Sequence, residues 1–310
     1  LDVYAIQQRG TLDQGTGVLV IEGDASNVLL TDSTFEENNG TTFFGNGEIW
    51  ANAVDQVVPS VNYNHLWVRT TKDHVVLLGT DEDFSCKNLL FYNPGEPGGQ
   101  ASTQHAITVR GDFRLGIDSL PGTELILNHT INRINGSGAF EMGKQDQLNV
   151  THSSTAQQTV LSGFSTPIFK GTVSYTSSSE QTLVKGTYNN LNINGSGQRF
   201  IAGQVNLRGI LKLNSGTLHS NDSLSLKSDS LATALISGTG AGTLVGKVGA
   251  ERFIEGTGTK EVLLSSAFSD VAMEDYMRGI PTLGPDGISW QIQSAPAIWE
   301  YNESTGVSAL

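Results

Sequence analysis

The six histidines and the acidic run at residues 81–83 are the first groups to consider for metal chemistry. The histidines, at positions 65, 74, 105, 129, 152 and 219, never show the His-x-Glu or His-x-x-x-His spacing of a zinc site. Asp81-Glu82-Asp83 could supply oxygen ligands to calcium, but the spacing of a calcium loop is missing, so a solvated acidic turn is the favoured interpretation. We expect no metal site and no cofactor, with calcium as the one ion that this run could take.

Sugar cleavage would need two acidic side chains across a groove. In the most regular part of the chain, residues 151–250, the only acids are Glu180, Asp222 and Asp229. We therefore expect no catalytic residues and interpret the protein as not an enzyme. A polysaccharide-cleaving groove within residues 1–115 stays open as an alternative.

The elements that must position any site are very short strands. Between Gly171 and Val248, the chain consists of short runs in which apolar and polar residues alternate one by one. Gly, Asn, Ser or Thr separates one run from the next. This alternation is typical of half-buried strands, and the separators are turn residues. Strands this short bury a core only when successive copies stack. The sequence therefore predicts an all-β protein: a right-handed parallel β-helix (β-solenoid) over residues 1–248, followed by a partial β-sandwich-like module over residues 249–310.

An internal match supports the repeat. Residues 63–68 (YNHLWV) align with residues 188–193 (YNNLNI) at an offset of 125 (188 − 63), and residues 109–115 align with residues 207–213 at an offset of 98 (207 − 109). The difference of 27 predicts an extra coil or a long loop between Cys86 and His105. The alignment also pairs His65 with Asn190, which indicates a replaceable surface position.

The tripeptide Arg110-Gly111-Asp112 has the sequence of an integrin ligand. The internal alignment pairs Asp112 with Ile210, in a strand run, whereas an adhesive tripeptide needs an exposed loop. A structural role is therefore favoured.

Composition excludes several classes of protein. The net charge is −13, and residues 1–150 contain 8 Lys and Arg against 19 Asp and Glu, so nucleic acid is not an expected partner. Cys86 is the only cysteine, so no intrachain disulfide forms. No apolar run is long enough to span a membrane. The chain starts without Met or a signal peptide, and we interpret it as a mature or excised piece of a longer protein.

The repeats, with residues 248–254 (VGAERFI) and 298–302 (IWEYN), resemble those of secreted Bacteroidetes surface proteins, similar to gliding-motility adhesins and other cargo of the type IX secretion system. The resemblance implies an extracellular or outer-surface location and passage through an export machinery. Three Asp-Ser-Leu triplets also look like the O-glycosylation sequon of that group, and they would place glycans on Ser119, Ser223 and Ser230.

The most direct interpretation is an extracellular structural and adhesive surface protein, a rigid solenoid stalk that presents binding loops or modules. Its expected partners are surface glycans or other cell-surface proteins. One alternative is a carbohydrate-binding or polysaccharide-cleaving β-helix, and Trp50 and Trp67 are the aromatic residues expected to contact its ligand. A second alternative is a coat or filament subunit.

Overall fold

The computed structural model describes most of the chain between residues 56 and 253 and shorter stretches outside it. The described residues are 2–3, 6–7, 10–13, 16–22, 28–29, 33–36, 40–45, 56–70, 75–79, 82–93, 99–103, 105–127, 133–151, 160–237, 240–253, 299–302 and 306–309. Within these ranges the protein is all-β and has no helix, and its parallel strands stack as a β-solenoid. No described helix is long and apolar enough to cross a membrane.

The strands number thirty-two among the described residues, and they are short throughout. The first sixteen are β1 Asp2–Val3, β2 Ile6–Gln7, β3 Gly10–Asp13, β4 Val18–Glu22, β5 Val28–Leu29, β6 Ser33–Glu36, β7 Thr41–Gly45, β8 Gln56–Val58, β9 Tyr63–Arg69, β10 Val75–Leu78, β11 Phe84–Tyr92, β12 Gly99–Thr103, β13 Ile107–Val109, β14 Phe113–Leu115, β15 Thr123–Leu127 and β16 Ile134–Gly136. The others are β17 Phe140–Met142, β18 Gln147–Val150, β19 Leu161–Ser162, β20 Ile168–Tyr175, β21 Gln181–Leu183, β22 Gly186–Ile193, β23 Gln198–Ile201, β24 Val205–Leu207, β25 Ile210–Leu213, β26 Thr217–His219, β27 Leu224–Leu226, β28 Leu235–Ser237, β29 Thr243–Val245, β30 Val248–Ala250, β31 Trp299–Asn302 and β32 Gly306–Ala309.

Three parallel stacks of strands form the faces of the solenoid. Face A contains β1, β4, β7, β9, β14, β17, β24, β27 and β30, with one half each of β11, β20 and β22. Face B runs from β8 through β10, β12, β15 and β18 and the second halves of β20 and β22 to β25 and β28. Face C contains the first half of β11 with β13, β16 and β19, and later β21, β23, β26 and β29. The backbone ladders of all three faces therefore run along the axis, as the predicted parallel β-helix requires.

The apolar-polar-apolar triplets explain why these residues form strands. In Phe113-Arg114-Leu115 the two apolar side chains are buried and the arginine is exposed, because successive side chains on a strand point to opposite sides. The same pattern recurs at residues 107–109 and 224–226. Inside face A, aromatic rings stack along the axis with centroids 4.4–6.0 Å apart, in the order Phe91, Phe113, Phe140, Phe169 and Tyr188.

Corners between the faces are closed by side-chain oxygens that accept main-chain N–H bonds from a neighbouring turn. The Oδ1 atom of Asn88 accepts from the N–H of Asp112 at 2.9 Å, and the Oδ1 of Asp112 accepts from Ala139 at 3.0 Å. Asp83, Asn190 and Asp222 act in the same way. These bonds satisfy donors that the strand ladders do not reach.

The prediction for Arg110-Gly111-Asp112 was wrong about its setting. The tripeptide lies at the corner between β13 and β14, outside any strand, and Arg110 and Asp112 are exposed. Its role in the fold is nevertheless structural, because the Asp112 carboxylate closes the next corner. Arg110 also donates from Nη2 to the carbonyl oxygen of Tyr63 at 3.3 Å.

The predicted internal alignment was also wrong in register. The alignment had matched Tyr188 to Tyr63. In the structure, Tyr188 instead belongs to the row of strand partners on face A that includes Val68 and Phe91. The register of the described strands leaves no room for an extra coil between Cys86 and His105, because β11 pairs directly with both β13 and β14.

The length of a turn instead varies along the solenoid. On face A, Arg114 pairs with Glu141 at a sequence offset of 27 (141 − 114), whereas Thr187 pairs with Asn206 at an offset of 19 (206 − 187). The difference that the alignment attributed to one insertion is therefore spread over several turns.

The chain divides into two compact units, residues 1–255 and 256–310. In the second unit, β31 and β32 form an antiparallel pair. The remainder of the β-sandwich-like module predicted over residues 249–310 lies mostly outside the described residues.

Candidate functional site

Face A presents a row of outward-facing apolar side chains across four neighbouring strands. Val20 on β4 pairs with Phe43 on β7, Phe43 pairs with Trp67 on β9, and Trp67 pairs with Leu90 on β11. Trp67 is 44 % exposed, and the other three are partly exposed. Tyr92, two positions beyond Leu90, is also half-buried, and its ring lies 5.9 Å from that of Phe43. We call these five residues the aromatic strip.

The local sequence forces these side chains outward. Phe43 is followed directly by Phe44, and Leu89-Leu90-Phe91-Tyr92 is an unbroken apolar run. Because alternate side chains on a strand face opposite sides, such runs cannot be wholly buried. Leu89 and Phe91 point into the core, so Leu90 and Tyr92 remain on the surface.

Polar side chains border the strip on the side of the corner with face C. The Nδ1 atom of His65 lies 2.9 Å from the Nδ2 of Asn88, and the two residues are strand partners. Burial, with a smaller contribution from Lys87, lowers the pKa of His65. The imidazole is therefore neutral at pH 7 and has hydrogen-bonding capacity without charge.

Cations surround the same strip. Arg69 is the strand partner of Tyr92, and Arg114 is the strand partner of Leu90. Arg110 lies at the corner with face C, one solenoid turn after Lys87. The two turns are joined there by the N–H of Gly111, which donates to the carbonyl oxygen of Lys87 at 2.6 Å. We call Arg69, Lys87, Arg110 and Arg114 the cationic rim.

The strip ends at an ion-pair cluster further along face A. The Nζ atom of Lys170 lies 3.1 Å from the Oδ2 of Asp118 and also contacts Glu141, whose Oε2 lies 3.3 Å from the Nη2 of Arg114. Hydrogen bonds from Lys170 are the main reason that the pKa values of Asp118 and Glu141 are lowered. These carboxylates are charged and paired, which is the opposite of a raised-pKa general acid.

Asp146 has a carboxyl group that is buried at the end of this cluster. Burial raises its pKa to about 6, while its Oδ1 accepts the N–H of Thr123 at 2.7 Å. Asp146 closes a corner, and Gly116 and Gly143 leave the room that its carboxylate fills. Among the residues that the structure describes, no group of three His, Cys, Asp or Glu side chains could hold a metal ion.

The structure separates the remaining predicted site residues. Trp67 lies in the aromatic strip, whereas Trp50 lies outside the described residues. In the acidic run, Asp81 is also outside them, Glu82 is exposed and Asp83 closes a corner.

The three predicted glycosylation serines differ in exposure. Ser119 is exposed in a turn, and Ser223 is half-buried, with its hydroxyl donating to the carbonyl oxygen of Asn221 at 3.1 Å. Ser230 lies at an exposed tip beside Leu231, which is 92 % exposed. Asp229 orders this tip, because its Oδ1 accepts the N–H groups of Leu231 and Ala232 at 2.9 and 3.0 Å.

Phe43, Tyr92 and the cationic rim were missed by the sequence reasoning. Adjacent apolar residues in a strand were an available signal for Phe43 and Tyr92. The cations carried no such signal, because they come together only through the stacking of separate turns.

Comparison of the chain with protein-family models, with curated proteins and with solved structures finds no match.

Proposed function

We propose that this chain is an extracellular adhesive protein in which a rigid β-solenoid binds carbohydrate through the aromatic strip of face A. The observation that carries the proposal is the in-register row of Phe43, Trp67 and Leu90, in which Trp67 is exposed and the other two are partly exposed. Exposed apolar groups arranged contiguously, with polar residues at their border, are typical of binding sites.

The chemistry of the strip suits a sugar chain. The apolar C–H face of a pyranose ring packs against an aromatic side chain, and the hydroxyl groups at its edge need hydrogen-bonding partners. The strip offers the aromatic faces, and His65 and Asn88 offer polar atoms beside them. Adjacent strands are about 4.8 Å apart, a spacing comparable to the length of one sugar ring. A glycan lying along the solenoid axis could therefore contact successive turns.

The parallel ladders support the stalk part of the proposal. Each turn is hydrogen-bonded to the turns before and after it on more than one face, so bending would strain several ladders together. A stiff support keeps the strip in one arrangement before the ligand arrives, which lowers the entropic cost of binding.

We propose binding without cleavage. Three described carboxylates beside and beyond the strip, those of Asp112, Glu141 and Asp118, are already engaged, the first with a main-chain N–H and the other two with Lys170. Extracellular location and export are supported by the resemblance to secreted surface proteins. Glycosylation is supported by the exposure of Ser119 and Ser230. Surface labelling of intact source cells, with mass spectrometry of the native chain, tests location and glycosylation.

The test of binding is affinity electrophoresis of the full chain through gels that contain neutral or acidic polysaccharides. We expect retardation by at least one polysaccharide, and Trp67→Ala should weaken that binding about tenfold, equivalent to about 1.4 kcal/mol. Ile168→Ala is the matched control, because Ile168 is 42 % exposed on the same face but lies among the charges beyond the strip.

Retention of full binding by Trp67→Ala, or equal losses in the two variants, would contradict the assignment of the site. Sugar fragments released during the incubation would contradict binding without cleavage.

A further inference from the structure

The cationic rim is unexpected in a region this acidic. Residues 1–150 contain only 8 Lys and Arg against 19 Asp and Glu. Four of those eight cations, Arg69, Lys87, Arg110 and Arg114, lie around the aromatic strip. Four positively charged side chains therefore lie beside the strip, together with the carboxylates of Asp112 and Glu141, on a protein whose net charge is −13.

The fold uses some of these cations but leaves their charge in place. Arg114 is 58 % exposed and shares Glu141 with Lys170, and Arg110 is exposed although its Nη2 donates to a main-chain carbonyl. Lys87 is exposed and forms no ion pair with any residue that the structure describes. Asp112 is the opposing carboxylate at this corner, and it accepts the N–H of Ala139.

From this arrangement we infer that the strip binds an acidic polysaccharide, whose ring faces pack on Trp67 and Tyr92 while its carboxylate or sulfate groups contact Lys87, Arg69 and Arg114. The inference rests on the carbohydrate binding proposed above and adds the charge class of the ligand. A neutral glycan would use the aromatic rings but not the charge of Lys87, which no described residue pairs. An acidic one satisfies both, because charge-assisted hydrogen bonds from Lys and Arg are the strongest available to a carboxylate.

Single-stranded nucleic acid is the other polymer that combines stacking with negative charge. Its affinity depends on cations placed along a continuous backbone path. On face A the rim is followed by Glu141 and Asp118, which are carboxylates, so such a path is interrupted after β14. The acidic polysaccharide is therefore the better fit.

The experiment compares two polymers with the same backbone, polygalacturonate and its fully methyl-esterified form, with oligo(dT) as the nucleic-acid probe. Binding of the full chain is measured by titration calorimetry at two NaCl concentrations. We expect the acidic form to bind at least tenfold more tightly than the ester, and we expect this preference to shrink at high salt. Lys87→Gln should weaken binding of the acidic form severalfold and leave binding of the ester unchanged. Lys212→Gln, at an exposed lysine on face B, should change neither.

Equal binding of the two forms would overturn the acidic ligand and leave the carbohydrate site intact. Tighter binding of oligo(dT) than of polygalacturonate would overturn the choice of polymer. Binding only to other, neutral polysaccharides would also refute this inference while supporting the proposed function. Absence of binding to every polysaccharide would contradict both.

Discussion

Replacing Arg199 by methionine should stabilise this protein. Arg199 points into the interior of face C and is fully buried, between its strand partners Gln181 and Leu218. Its Nη2 donates to the carbonyl oxygen of Ser177, but Nε and Nη1 have no hydrogen-bonding partner among the residues that the structure describes. Burial lowers the pKa of its guanidinium, because the charged form is desolvated.

The magnitude follows from what the substitution removes. The bond to Ser177 is charge-assisted and contributes about 1.5–3 kcal/mol. Against this, each of the two buried nitrogens without a hydrogen bond, Nε and Nη1, costs about 1–3 kcal/mol, and desolvation of the charge costs several kcal/mol more. Leucine already occupies the next position of this row, at residue 218, so an apolar side chain suits the site. We expect net stabilisation of about 1–3 kcal/mol, because the penalties removed exceed the one bond that is lost.

Thermal unfolding of the full chain, followed by circular dichroism, measures the effect. The midpoint for Arg199→Met should rise by about 2–6 °C. The control is Arg208→Met, at an exposed arginine whose Nη1 lies 3.0 Å from Asp229, and it should change stability by less than about 0.5 kcal/mol. A lower midpoint for Arg199→Met than for the wild-type chain would refute the reasoning, because it would show that the guanidinium stabilises the fold.

Further predictions concern the core, one buried acid and one glycine. Phe113→Ala, in the inner aromatic stack, should cost about 3–5 kcal/mol of unfolding free energy in denaturant titrations. Burial raises the pKa of Asp146 to about 6, from 3.8. Its contribution to stability is therefore fully present below pH 3.8 and is lost as the pH rises through 6, by about 2 kcal/mol once screening by solvent is allowed for. The unfolding midpoint of the wild-type chain should show this pH dependence, and that of Asp146→Asn should not. Gly116→Ala should be destabilising, since φ is +79° and a Cβ atom would overlap the Asp146 carboxylate, whereas Gly249→Ala should be nearly neutral, because the atom nearest to its Cβ would lie at 3.4 Å.

Three outcomes would contradict these predictions. A loss below about 1 kcal/mol for Phe113→Ala would mean that the inner stack is loosely packed. The same pH dependence in the wild-type chain and in Asp146→Asn would assign the titration to another group. Equal effects of the two glycine substitutions would remove the steric argument at Gly116.

The solenoid could be predicted because its signal is local. The triplet Phe113-Arg114-Leu115 alone predicts which side chains are buried and which is exposed. Because many such short triplets are separated by turn residues, they can form a core only by stacking. The local nature of this signal also explains why the internal alignment was wrong in register. One triplet pattern serves all three faces, so Tyr63 and Tyr188 match in sequence although they occupy different rows.

The candidate site was predictable only in part. Trp67 could be selected because tryptophan is rare here, and Phe43 could have been selected because it adjoins Phe44 in one strand, where neighbouring side chains face opposite sides. Lys87 and Arg114 could not have been, since they belong to different turns and meet at the strip only because of the turn length. The register offset on face A varies from 27 (141 − 114) to 19 (206 − 187), and no short sequence pattern fixes it.

Hydroxyl-radical footprinting with and without a bound polysaccharide would show directly whether the ligand covers the aromatic strip. Oxidation of individual side chains of the full protein would be measured by mass spectrometry. We expect the ligand to protect Trp67, Tyr92 and Phe43, while the exposed Leu231 and Phe253 stay as reactive as in the free protein. Protection at Leu231 or Phe253 with Trp67 unchanged would contradict this expectation, because the ligand would then bind away from the aromatic strip.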